Sequence, residues 1–110
     1  MKVHLIKRNT ILKYIKSNQN SKVYFDIWMN QLKSANWSNT NDIFNTFKSA
    51  DILGKNSNRI VFNIGGNHYR LICNFYFGKE NIHLFINWIG THSEYTKLCD
   101  KNLQYKVNKY

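Results

Sequence analysis

The chain has 110 residues, which is enough for one domain with a single hydrophobic core and too few for two. Its 16 Lys and Arg residues against 6 Asp and Glu give a formal net charge of +10, which favours a polyanion such as nucleic acid as partner. A solvated basic surface without a partner is the alternative. The sequence predicts no membrane association and no signal peptide, because it lacks an apolar run of about 18 residues and because Lys7 and Arg8 interrupt its start. We therefore expect one cytoplasmic domain over residues 1–110.

The first half of the chain has mainly helical patterns. Residues 3–7 alternate weakly and predict a short strand, and apolar residues in 10–17 fall on one face of a helix. A second helix is predicted after Ser21, a candidate N-cap, because the apolar residues that follow have helical spacing: Tyr24, Phe25, Trp28 and Leu32. Residues 34–41 are predicted to be a connection, and 42–47 to form one or two helical turns.

The second half changes to the alternating pattern of strands. Strands are predicted over 59–64, 68–77 and 82–89, with turns at 65–67 and 78–81. Two hairpins in series form an antiparallel meander, which the preceding helices can cover on one face. In the middle strand, the apolar side chains from Tyr69 to Phe77 define the core face. The opposite face, with Arg70, Ile72, Asn74 and Tyr76, is mixed and is typical of a half-open binding surface.

A helix is predicted to begin just after Gly90. The segment Thr91-His-Ser-Glu94 fits a capping box, in which Thr91 caps the helix and Glu94 reaches back to the Thr91 amide. His92 is then the first helical residue, and Tyr95 lies one turn later on the same side. The free amides at such a helix start favour an approaching phosphate.

Metal, disulfide and cofactor chemistry have little support. Cys73 lies in an apolar strand and is predicted to be buried, whereas Cys99 is predicted to be partly exposed. The histidines and acids show no HExxH or similar spacing, and the Gly65-Gly66 pair lies between strands without the Gly-Lys-Ser/Thr of a phosphate loop. We expect no metal site and no cofactor.

Two motifs together resemble the HigB toxin family. The first is the stretch RIVFNIGGNHYRLI from Arg59 to Ile72, and the second is GTHSEY from Gly90 to Tyr95. The family typically has VFNIGGN-x-YRL followed by TH-x-EYD, so the resemblance covers residues 40–98 and rests on two specific motifs in the right order. One position departs from the family pattern: Thr96 stands where the family usually has an acidic residue, so the resemblance carries over no role of that carboxylate.

The resemblance implies an α+β, RelE-like fold, with N-terminal helices packed on a curved antiparallel sheet and a short C-terminal helix. It also implies a toxin that cleaves mRNA on the ribosome and that is held inactive by a helix-turn-helix antitoxin. The alternatives are a non-catalytic RNA-binding protein, or degenerate toxin, and a protein-interaction module.

Three residues are candidates for catalysis of metal-independent RNA cleavage. His92 is suited to general acid or base catalysis, because the ordinary pKa of histidine is about 6.5. The alternative is that it lies beside the helix cap and has no chemical role. Tyr95 is a candidate to orient the phosphate, to donate a proton or to stack on a base. The alternative is that it only packs the helix on the sheet. Arg70 is a candidate to stabilise the charge of the transition state, with a salt bridge to Glu94 or another acid as the alternative.

Three further residues are weaker candidates for RNA contact. Lys55 and Arg59 are candidates for the RNA backbone, and His68 is either an auxiliary acid or base or simply an exposed turn residue. For residues 101–110 the sequence leaves helix, edge strand and disorder open.

Overall fold

The computed structural model describes residues Met1–Tyr110 and has an α+β architecture of five strands and four helices. In chain order the elements are β1 (Lys2–Ile6), α1 (Arg8–Ser17), α2 (Lys22–Lys33), α3 (Thr40–Thr46), β2 (Asp51–Leu53), β3 (Arg59–Ile64), β4 (Tyr69–Phe77), β5 (Asn81–Thr91) and α4 (His92–Asp100), with a short 3-10 turn at Gln19–Ser21 before α2. None of the helices is long and apolar enough to cross a membrane.

The sheet is mixed, which corrects the expectation of a purely antiparallel one. Its order is β1-β5-β4-β3-β2, and the strands from β2 to β5 form an antiparallel meander. The first strand instead pairs in parallel with β5, from Lys2 opposite Asn81 to Ile6 opposite Phe85. The alternation of residues 3–7 indicates a strand but carries no information about its partner, because that pairing joins segments almost eighty residues apart.

One face of the sheet carries the main core. Helices α1 and α2 bury Ile11, Ile15, Phe25, Trp28 and Leu32 in a cluster of 19 buried residues that also contains Leu71 and Cys73 of β4. Cys73 is fully buried and Cys99 partly exposed, and both are free thiols, as predicted. The predicted core face of β4 is therefore confirmed.

The opposite face is only partly open. A second cluster of Val61, Ile72 and Trp88 lies on it, covered by Tyr95 and Leu98 of α4 and by Val107. Ile72 is fully buried, whereas Tyr76, four residues further along the same face of β4, is 63% exposed. The expectation of a half-open surface along the whole strand is thus wrong in its middle, because α4 folds back over it.

Local details also differ from the sequence predictions. Helix α2 follows Ser21 as expected, but the Ser21 hydroxyl donates to the carbonyl of Asn18 (2.5 Å) instead of capping the helix. Helix α3 begins inside the predicted connection, because Asn39 and Asp42 form a capping box from residue types outside the usual Ser/Thr and Glu/Gln pattern. The three-residue strand β2 is too short to produce a pattern of its own and was not predicted.

The end of the chain lies back against the sheet. The register between β4 and β5 shifts between Ile72 and Cys73, which leaves Asn87 as an extra residue in β5. The main-chain N–H of Lys109 donates to the carbonyl of Asn87 (2.8 Å). Residues 101–110 thus form neither a helix nor a regular strand but a series of turns that ends along β5.

Candidate functional site

The turn between β3 and β4 meets the first turn of α4 at one corner of the sheet, called here the hairpin corner. The amide of His92 donates a hydrogen bond to the carbonyl of His68 in that turn (3.1 Å). In the strand register, Tyr69 lies opposite Thr91 and Arg70 opposite Gly90. The three candidates for catalysis, Arg70, His92 and Tyr95, therefore belong to adjoining parts of this corner.

The shape of the turn depends on its glycines. Gly65 and Gly66 have φ values of 65° and 66°, a left-handed conformation that glycine adopts without a steric penalty. A Cβ atom at Gly65 would lie 2.6 Å from the ring of Tyr24, so the backbone passes directly over that ring. The exposed His68 ring stacks on Tyr24, with centroids 5.4 Å apart and planes within 14°. The turn is thus held against α2.

Arg70 is 7% exposed and has no acidic partner. Its Nη1 donates to the carbonyls of Gly66 (3.2 Å) and Tyr69 (3.0 Å), and its Nη2 donates to Oδ1 of Asn67 (3.3 Å). The predicted alternative of a salt bridge to Glu94 is wrong, because the chain contains one ion pair, between Lys22 and Asp26. A guanidinium has five N–H groups, so two of those of Arg70 remain without a hydrogen-bond partner.

The capping box at the start of α4 is confirmed. The Thr91 amide donates to Glu94 Oε1 (2.8 Å), and the Glu94 amide donates to the Thr91 hydroxyl (3.2 Å). These bonds fix the position of His92, whose side chain is exposed. The hydroxyl of Thr96, at the position where the family pattern has an acid, donates to the carbonyl of His92 (3.1 Å). Because residue 96 is a threonine, it places no carboxylate beside His92.

Tyr95 is partly buried between α4 and the sheet. Its ring centroid lies 6.2 Å from that of Trp88, and it packs on the second cluster. Burial raises the pKa of the Tyr95 phenol, and the neighbouring Cys99 and Asp51 act in the same direction. The positive charge of Arg70 opposes this rise, which places the guanidinium within electrostatic reach of the phenol. Tyr95 is therefore protonated throughout the neutral pH range.

Two of the weaker candidates lie away from the hairpin corner and contact the tail. Arg59 is 7% exposed, its guanidinium donates to the main-chain carbonyl of Gln104 (3.0 Å), and burial lowers its pKa. The ammonium of Lys55 lies 4.5 Å from the centroid of the Tyr105 ring. An RNA contact by Arg59 would require the tail to move, whereas Lys55 is exposed. Of this group, only His68 lies at the corner.

A group of lysines beside the corner was not singled out from the sequence. Lys7, Lys13 and Lys109 line a cavity of 540 Å³ between α1, the end of β5 and the tail, together with Glu94 and Tyr14. These residues are distant in the chain, and exposed lysines are common throughout it. Only the packing of α1 against the end of β5 and the tail brings them together, so no local pattern could have identified them.

Comparison with known families adds an independent observation. The family model described as HigB_toxin, RelE-like toxic component of a toxin-antitoxin system, matches residues 21–98. No individual curated protein matches the chain. The matched segment runs from the residue before α2 into α4 and contains every candidate residue of the hairpin corner.

Proposed function

We propose that this chain, which belongs to the HigB family of RelE-like toxins, is an endoribonuclease that cleaves mRNA on the ribosome. The members of this family are the toxic components of toxin–antitoxin systems. Membership of this family implies an antitoxin as partner, and we propose that the antitoxin is of the helix-turn-helix type. The α+β architecture with a five-strand sheet is consistent with a RelE-like fold.

The proposed reaction is attack of an RNA 2′-hydroxyl on the adjacent phosphorus. The P–O5′ bond breaks, which gives a 2′,3′-cyclic phosphate and a 5′-hydroxyl. A base must take the proton of the 2′-hydroxyl, an acid must protonate the leaving 5′-oxygen, and a cation must stabilise the charge on the phosphate. No metal ion is needed for these three tasks.

Arg70 carries the proposal. It is a guanidinium without a carboxylate partner, and three hydrogen bonds to the hairpin turn fix its orientation. Its two remaining N–H groups can bind phosphate oxygens, and its charge is not neutralised by an ion pair. A positive group that is held in place before the substrate arrives stabilises a transition state without reorganisation.

His92 is the proposed proton carrier. Its exposed imidazole stands on the first residue of α4, where the capping box and the bond to His68 fix the backbone. Tyr95, whose phenol stays protonated, is proposed to donate a hydrogen bond that orients the phosphate, while its ring packs α4 on the sheet. The net charge of +10 and the lysines beside Glu94 attract the RNA backbone to the same region.

The test is induced expression in a bacterium, with RNA 5′ ends mapped on translated messages. We expect the wild type to arrest growth and to create new 5′ ends inside reading frames. Arg70→Ala is expected to lower cleavage by about 100- to 1,000-fold and His92→Ala by about 100- to 10,000-fold. Arg70→Lys, which keeps the charge but loses the two-pronged geometry, should retain part of the activity.

Matched controls are Arg8→Ala, an exposed arginine on α1, and Ser93→Ala, an exposed neighbour of His92. Both should cleave like the wild type, and thermal unfolding should confirm that every variant is folded. Cleavage that survives both Arg70→Ala and His92→Ala would rule out the proposed site. Folded wild-type protein that neither arrests growth nor cuts messages would instead support an RNA-binding protein without catalysis, the alternative that Thr96 favours.

A further inference from the structure

The sheet face that α4 covers in its middle is open again at its far end. There the strand register aligns His4 of β1 with His83 of β5, and His83 with Tyr76 of β4. Phe85 lies two residues beyond His83 on the same face, since Ile82, Leu84 and Ile86 point into the main core. These four residues, His4, Tyr76, His83 and Phe85, are called here the aromatic row.

Three rings of the aromatic row, those of His4, His83 and Tyr76, adjoin one another across three strands. The Tyr76 and His83 ring planes are within 22° of each other with centroids 6.3 Å apart, whereas the His4 and His83 rings meet edge to face, with centroids 5.7 Å apart and planes at 66°. Tyr76 is 63% exposed and Phe85 is 40% exposed. The other exposed large hydrophobic residues of the chain are all aliphatic and lie elsewhere: Leu12, Val23, Ile27 and Leu103. The only two aromatic members of this class are therefore neighbours on one surface.

We propose that the aromatic row is a second RNA-binding site, on which unpaired bases of a single strand stack. Exposed aromatic rings on a sheet are suited to bases that are not paired, because each base offers a flat π face. Two-residue steps along β5 separate His83 from Phe85 by about 7 Å, so neighbouring bases of an extended strand can each meet a ring. This inference deepens the proposed function, on which it rests for the identity of the ligand as RNA.

Charge favours a nucleic acid over a protein partner for this surface. Lys2 lies on the same face, one two-residue step before His4, and is exposed. The turn after β4 adds one basic and one acidic residue, Lys79 and Glu80, whose charges offset each other. The row thus combines stacking groups with a positive edge on a strongly basic chain, which is the usual composition of single-strand binding surfaces.

The aromatic row is separate from the hairpin corner. Tyr76 is six residues from Arg70 along β4, which corresponds to about 20 Å. Between them lie Ile72, which α4 covers, and Arg59, which the tail covers. A strand bound at both places would have several nucleotides between the base stacked on Tyr76 and the scissile phosphate. The row would therefore contribute to affinity and positioning without touching the reacting atoms.

The test is the affinity of the purified protein for a fluorescent 12-nucleotide 2′-O-methyl RNA, measured by anisotropy. This probe lacks the 2′-hydroxyl nucleophile, so the result does not depend on cleavage. We expect Tyr76→Ala and Phe85→Ala each to raise the Kd roughly 5- to 150-fold, and Tyr76→Trp to restore binding. Ile27→Ala, on α2 and with an exposure between those of Tyr76 and Phe85, should change the Kd less than twofold. Binding of a duplex of the same sequence should be unaffected by the ring variants.

Crosslinking of the wild type to a 5-bromouridine version of the probe gives a result that does not depend on the folding of any variant. Crosslinks to peptides with Tyr76 or Phe85 would support the proposal, and crosslinks elsewhere alone would overturn it. A Kd that both ring substitutions leave unchanged would also overturn it. So would weakened antitoxin binding with intact RNA binding, which would identify a protein-docking surface. If the ring variants weaken binding while the wild type cuts no message, the proposed nuclease activity fails and this site stands.

Discussion

The guanidinium of Arg59 and the main-chain carbonyl of Gln104 are joined by a hydrogen bond of 3.0 Å that spans 45 residues of sequence. Both residues are buried, Arg59 to 7% and Gln104 to 8% exposure. The bond ties the tail to β3 on the sheet face that α4 covers. A charged donor buried in this way has a structural role. This holds even though Arg59 lies in the motif that resembles the HigB family.

Arg59→Ala is expected to lower the free energy of unfolding by about 1–3 kcal/mol, because it removes a hydrogen bond from a charged group and leaves the Gln104 carbonyl without its donor. Urea denaturation measures the change, and Arg8→Ala should stay within about 0.5 kcal/mol of the wild type. If Arg59→Ala keeps full stability but binds RNA more weakly, the sequence-based assignment of Arg59 to RNA contact is correct and its structural role is not.

Gly90→Ala is expected to destabilise the protein by about 1–3 kcal/mol. A Cβ atom at this position would lie 2.4 Å from the ring of Trp88 and 3.1 Å from Glu94 Oε1. The first clash would displace the second cluster, and the second would strain the capping box that positions His92. Gly54→Ala is the matched control, because a Cβ there meets nothing within 4 Å. Equal unfolding temperatures for the two variants would contradict the packing described for Trp88.

Thr96→Asp is expected to shift the pH dependence of cleavage to higher pH. Residue 96 lies one helical turn after His92, to whose carbonyl its hydroxyl now donates. A carboxylate there would stabilise the protonated imidazole, so the limb of the pH profile that reports His92 moves upward whether the residue acts as acid or base. Thr96→Asn, of the same shape without the charge, should leave the profile in place. An unchanged profile for Thr96→Asp would remove His92 from the proton transfer.

Alkaline pH is expected to destabilise the fold through the buried thiol of Cys73 and the partly buried phenols of Tyr14 and Tyr95. Burial raises the pKa of Cys73 and Tyr95, and it raises the pKa of Tyr14 to about 12 with a contribution from Glu94. In the unfolded chain these groups ionise near pH 9 for the thiol and pH 10 for the phenols, whereas the fold holds them protonated. Their contribution to stability is therefore complete below about pH 9 and is lost as the pH rises toward the folded-state pKa values.

Urea unfolding at pH 8, 10 and 11 tests this expectation. Tyr14→Phe keeps the ring but removes its titration, so its stability should fall less steeply than that of the wild type between pH 10 and 11. Tyr76→Phe, at an exposed position, should follow the wild type. Parallel pH curves for Tyr14→Phe and the wild type would contradict the assigned role of Tyr14.

Elements with a local signal could be predicted from the sequence. The core face of β4 follows from strict alternation, and the start of α4 follows from the four residues of its capping box. The two motifs that carry the family resemblance are also local strings, which is why the family could be recognised before the fold was known. A family match over residues 21–98 then confirmed it.

Features that depend on contacts between distant segments could be seen only in the folded protein. The parallel pairing of β1 with β5, the covering of Ile72 by α4, the lack of an acid partner for Arg70 and the burial of Arg59 under the tail are of this kind. Alternation reports that a side chain points to one face of a sheet, but it cannot report what lies on that face. The same limit hid the aromatic row, because His4, Tyr76 and Phe85 become neighbours only when three strands pair in register.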